Sequence, residues 1–111
     1  MTELGSIFIN DEKSALSARK KLSIALCGLG YTDILVARTE TAFSEMLRRL
    51  AAAGGDYTLT LLLDKRTAIG RLEIVLRPVP PAETYAPLTK VFRNVLVCDQ
   101  RREPYLSVSV I

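Results

Sequence analysis

The chain has 111 residues, with 15 Lys plus Arg against 12 Asp plus Glu and a formal charge of +3. That is the size of one domain, and the positive balance is modest for a nucleic-acid binder. Hydrophobic residues at 49% and charged residues at 24% exclude a disordered or collagen-like chain. His is absent, which excludes Ser-His-Asp and Cys-His nucleophiles, His-ligated zinc and the usual proton carrier near neutral pH.

A short strand is predicted over 6–9, with Ile7 and Ile9 on one face. Asn10 is then expected as a helix N-cap, with Asp11 and Glu12 as acids in the first turn. In that helix Ala15, Ala18, Leu22, Ala25, Leu26 and Leu29 form the apolar stripe, and Gly28 and Gly30 end it. Lys13, Arg19, Lys20 and Lys21 are the densest basic group and read as a solvated helix face. Thr32 or Asp33 opens a second helix with a wide stripe: Leu35, Val36, Thr39, Ala42, Phe43, Met46, Leu47, Leu50 and Ala53. A stripe of that width is expected to pack on a sheet and on a neighbouring helix.

From Tyr57 the period becomes alternating. Tyr57, Leu59, Leu61 and Leu63 share one face, with Thr58, Thr60 and Leu62 opposite. Asp64, Lys65 and Arg66 read as a polar turn, followed from Ile69 and Gly70 by a strand with Leu72, Ile74 and Leu76 inward and Arg71, Glu73, Val75 and Arg77 outward. Pro78, Pro80 and Pro81 stop the sheet. A short helix is expected next, with Pro87 in its first turn and Leu88, Val91 and Phe92 on its apolar side. Strands over 95–98 and 105–111, joined by the charged turn 99–104, close the chain, with Leu106, Val108 and Val110 facing in.

The order is β-α-α-β-β-α-β-β. It predicts a single domain over 1–111, an α+β two-layer sandwich whose mixed, mainly antiparallel sheet carries its helices on one face. Cys27 and Cys98 form no CxxC motif, and with no signal peptide ahead of them they are expected to be buried or inert in a reducing, cytoplasmic setting. The longest apolar runs, 34–37 and 59–63, are too short to span a bilayer, so no membrane partner is expected.

Several short runs then stand out: Ala18-Arg19, Leu29-Gly30-Tyr31, Ala37-Arg38, and Thr41-Ala42-Phe43-Ser44-Glu45-Met46-Leu47-Arg48-Arg49-Leu50. With the element order, they resemble the GHKL ATPase fold and, over 11–76, the small anti-sigma-factor-type serine kinases of bacterial partner-switching pathways. The tail 95–111 resembles that family's closing hairpin. The resemblance implies that Glu45 takes the place of the family's base or water-orienting group. It also puts Arg49 where an Asn helps to hold magnesium, and a guanidinium has no acceptor for a cation. Where the family has Asp-x-Gly-x-Gly, this chain reads Leu76-Arg77-Pro78-Val79-Pro80-Pro81, and the Gly-rich phosphate lid is replaced by 81–94. The implied protein keeps the scaffold without its nucleotide contacts, so neither cofactor nor metal is expected.

Glu45 also has a purely structural reading. Arg48 and Arg49 follow three and four residues later and Arg38 precedes by seven, so a salt-bridged carboxylate is expected in preference to a catalytic base. The expected function is that of a non-catalytic regulatory domain contacting a protein partner, with Arg38, Glu45, Arg48 and Arg49 as the partner-binding candidates. In the resembling family the partners are STAS-type antagonists, sigma factors or a phosphatase, and homodimers occur. The apolar, proline-rich segment 79–92 is either a docking surface or a packed cover. Two alternatives stand beside this reading. One is a divergent ATP-dependent serine kinase that uses Glu45. The other is a basic nucleic-acid module using Lys13, Lys20, Lys21, Arg48 and Arg49, although nucleic acid is not the expected partner. Tyr31, Tyr57, Tyr85 and Tyr105 are too dispersed to argue a base-stacking platform.

Overall fold

A computed structural model of the chain describes residues 2–66, 70–98 and 103–110. Its elements are β1 Thr2–Ile9, α1 Glu12–Gly28, α2 Asp33–Ala53, β2 Tyr57–Asp64, β3 Arg71–Arg77, α3 Ala82–Thr89, β4 Val95–Cys98 and β5 Tyr105–Val110, the order expected from the sequence. The strands form one sheet in the order β1-β2-β3-β5-β4, and every pairing is antiparallel. Ile69, turn residues 99–102 and Ile111, which the sequence reading assigned to strands or a turn, lie outside the described residues.

The alternation explains the core. In register, Ile7, Leu59, Leu76 and Leu106 form one row across four strands, and Leu61, Ile74, Val108 and Val95 form the next. Both rows join Ala18, Leu22 and Leu26 of α1, Phe43, Met46, Leu47 and Leu50 of α2, and Leu88 of α3 in a single hydrophobic cluster. The opposite face is not wholly polar. Thr60 of β2 and Val75 of β3 face each other there, and both are buried. Val75, expected on the outward face, is 5% exposed.

Several boundaries differ from expectation for local reasons. β1 begins at Thr2, because residues before the periodic part still pair with Leu61, Leu62 and Leu63 across a bulge between Glu3 and Gly5. The α1 N-cap is Asp11, not Asn10. The Asp11 carboxylate accepts the Ser14 N–H at 2.8 Å, while the Ser14 hydroxyl accepts the Asp11 N–H at 3.1 Å. Only a cap at Asp11 puts Ser14 at the position that closes this reciprocal box. Ser14 also holds the Asp11 carboxyl below the usual range. α2 is capped by Thr32, whose hydroxyl accepts the Leu35 N–H at 3.3 Å, and Ala53 at its far end is exposed instead of packed.

Pro87 lies inside α3, not in its first turn, because the helix starts right after Pro81, which acts as its N-cap. Tyr31, between α1 and α2, fastens the helical layer to the sheet. Its hydroxyl donates to the Gly70 carbonyl at 3.3 Å and accepts the Leu72 N–H at 2.9 Å. Among the described residues no helix is long and apolar enough to cross a membrane.

Candidate functional site

Three- and four-residue spacing along α2 puts Arg38, Thr41, Glu45 and Arg49 on one side of the helix, facing α3. α3 runs antiparallel to this stretch: Arg49 meets Glu83 at the start of α3, and Phe43 packs on Phe92 just beyond its end, ring centroids 6.0 Å apart. The space between the helices is an open cleft of about 530 Å³ lined by Arg38, Ala42, Glu45, Arg49, Pro87, Lys90 and Val91, among others. On the other side of Glu45, a second cleft of about 670 Å³ separates α1 from α2 and is lined by Glu12, Leu16, Arg19, Glu40, Glu45 and Arg48, among others. Glu45 stands on the ridge between them.

The Glu45 carboxylate accepts hydrogen bonds on both oxygens. Arg48 donates to it through Nη2 at 2.6 Å and Nε at 3.2 Å, and Arg49 donates through Nε at 3.1 Å. Arg48, then Arg49, holds the Glu45 carboxyl down from an ordinary 4.5 to about 2. So weak a base takes a proton poorly at neutral pH. Arg49 then reaches past Glu45 with Nη1 and donates to the Glu83 backbone carbonyl. In a helix that carbonyl would accept the N–H four residues later, which is position 87, and proline has none. Pro87 therefore leaves the acceptor that Arg49 takes up. The guanidinium at position 49 acts as a strut between α2 and α3, and it offers no acceptor that would bind a metal ion.

Of the four residues predicted to bind a partner, the structure joins Glu45, Arg48 and Arg49 and sets Arg38 apart. The sequence spacing puts Arg38 among the guanidiniums expected beside Glu45. Two helical turns separate the two residues, and among the described residues Arg38 makes no ion pair. Lys90, which the sequence reading passed over, lines the same cleft as Arg38 and is likewise without an ion-pair partner there. Its signal was present in sequence, since it follows the apolar residue Leu88 just past a short helix. Recognising it required the antiparallel packing of α3 on α2.

Elsewhere, Asp64 is the last residue of β2 rather than part of an exposed turn, and it is buried. The Arg66 guanidinium and the Arg66 N–H both donate to its carboxylate and hold it well below the usual carboxylate range. This pairing tightens the hairpin end and needs no ligand to explain it. Cys27, expected to be buried or inert, is exposed at the C-terminal end of α1, and Cys98 is half-buried on β4. Lys13, Lys20 and Lys21 are exposed on α1, whereas Arg48 and Arg49 are committed to Glu45 and line different clefts. Among the described residues no three His, Cys, Asp or Glu side chains converge on a metal site. No protein-family model matches the chain, and a search of curated proteins finds no match.

Proposed function

We propose that this chain is a non-catalytic regulatory interaction domain, resembling a partner-switching serine kinase that has lost nucleotide binding, and that it acts in the cytoplasm by contacting a protein partner. The observation that carries this reading is the state of Glu45. Its carboxylate is paired by two guanidiniums, one of them at the position where the resembling kinases carry a metal ligand, and that guanidinium is itself tied to α3. A group held in this way is suited to fixing the spacing of α2 and α3, and the cleft that they form is the surface offered to a partner. In the resembling family that partner is a STAS-type antagonist, a sigma factor or a phosphatase, and a second copy of the chain is a further candidate.

Calorimetric titration with Mg-ATP and Mg-ADP tests the reading, with Glu45→Ala as the comparison. The expected result is no heat and no thermal stabilisation at millimolar nucleotide for either protein. Micromolar binding that depends on Glu45 would overturn it in favour of a divergent serine kinase.

A further inference from the structure

We infer that the cleft between α2 and α3 takes an acidic, partly apolar peptide segment of a protein partner, with a carboxylate of the peptide held between Arg38 and Lys90. The inference rests on the contact reading above and adds the chemistry of the partner.

Arg38, Arg49 and Lys90 bring three cations to the cleft and Glu45 one anion. Glu45 is already paired by Arg48 and Arg49, so it repels an incoming carboxylate weakly. Arg38 and Lys90 have no carboxylate partner among the described residues. The antiparallel packing puts both at the same end of the cleft, because Arg49 and Glu83 occupy the other. Two cations at one mouth of a cleft produce a field that an acidic side chain completes.

The side chains of Ala42, Pro87 and Val91 give the cleft an apolar wall, and Val91, two residues past the end of α3, stays 37% exposed. From Arg38 to Arg49 the cleft follows α2 for roughly 16 Å at 1.5 Å per residue. It is an open trough rather than an enclosed chamber, so a small molecule would leave much of its surface in water. A peptide of a few residues spans that length, buries an apolar side chain on Val91 and Pro87, and sets a carboxylate between the two cations.

The test is an amide NMR titration of the labelled protein with a blocked ten-residue peptide of glutamate and leucine. Saturable shifts confined to Arg38, Ala42, Lys90 and Val91 are expected, and the double variant Arg38→Glu with Lys90→Glu should weaken binding by about tenfold or more. Lys20→Glu with Lys21→Glu changes the net charge equally on α1 and should bind like the parent, which separates a local site from overall charge. Circular dichroism shows whether each variant is folded.

The inference is overturned if the peptide produces no saturable shifts at millimolar concentration, or shifts outside the cleft, or if both double variants lose binding alike. It is equally overturned if a lysine and leucine peptide, a short duplex DNA or hexanoate alone saturates the same resonances as strongly. Mg-ATP is titrated in parallel. Nucleotide shifts in the cleft would defeat the contact reading itself, whereas silence from both nucleotide and peptide would defeat only the acidic-peptide assignment.

Discussion

The two sides of α2 differ in what they ask of their residues. On one, Phe43, Met46, Leu47 and Leu50 are buried against the sheet and the neighbouring helices. On the other, Arg38, Glu45 and Arg49 border an open cleft, and Glu45 keeps 36% of its side-chain surface exposed even while paired. The buried side is constrained by volume, since an interior packed like an organic crystal registers the loss of even one methylene. The cleft side is constrained by charge, and solvated ion pairs of this kind contribute little to folding. One helix thus carries the information for the fold along one stripe and the capacity for recognition along another.

The largest expected effect falls on the buried side. Phe43→Ala removes a ring that is 1% exposed and packs on Phe92, and it should lower stability by about 3–5 kcal/mol, read from the urea midpoint. Phe92→Ala and the double variant complete a cycle in which the ring pair should couple by about 0.5–1.5 kcal/mol. A loss below ~1 kcal/mol for Phe43→Ala would mean that α2 is not seated in the core as described.

A smaller effect of opposite sign is expected at Thr39. This residue belongs to the buried stripe and is 0% exposed, yet its hydroxyl has no hydrogen-bond partner among the described residues. Thr39→Val keeps the shape and removes the stranded polar group, so stability should rise by about 1 kcal/mol, seen as a higher thermal midpoint. A fall instead would show that the hydroxyl has a partner and that the two sides of α2 are less cleanly divided.

Much of this division was legible in sequence, and the misses share a physical cause. The apolar stripes of α1 and α2 and the alternation in β2, β3 and β5 gave the element order, because periodicity is a local property that folding preserves. The pairing of Glu45 with Arg48 and Arg49 was legible for the same reason, since three- and four-residue neighbours on a helix must meet. What sequence did not disclose depended on contacts between elements. The early start of β1 is set by its pairing with β2. The role of Lys90 depends on how α3 lies along α2. Pro87 illustrates the point most directly: its chemical consequence, one carbonyl without a donor, follows from local rules once the helix start is known, and that start was misplaced.

Pro87 also yields the smallest predicted change, and it tests whether the cleft side is organised as described. Pro87→Ala restores an N–H that can reach the Glu83 carbonyl and so competes with Arg49 for it. The net change in stability should stay within ~1 kcal/mol. The helical hydrogen bond gained is offset by the Arg49 bond lost and by the greater freedom of the unfolded chain. The informative signal is Glu45, followed through its carboxyl carbon in an NMR pH titration. In the parent protein its midpoint is expected at about 2, against an ordinary 4.5. Its pairing therefore favours the folded state above the ordinary value and is lost as pH falls toward about 2. With Arg49 released from α3 the midpoint should rise, yet stay below 4.5, because Arg48 is the larger cause of the depression and is untouched by the substitution. An unchanged midpoint would mean that Arg49 is held by Glu45 alone, and that the tie between α2 and α3 does not depend on the proline.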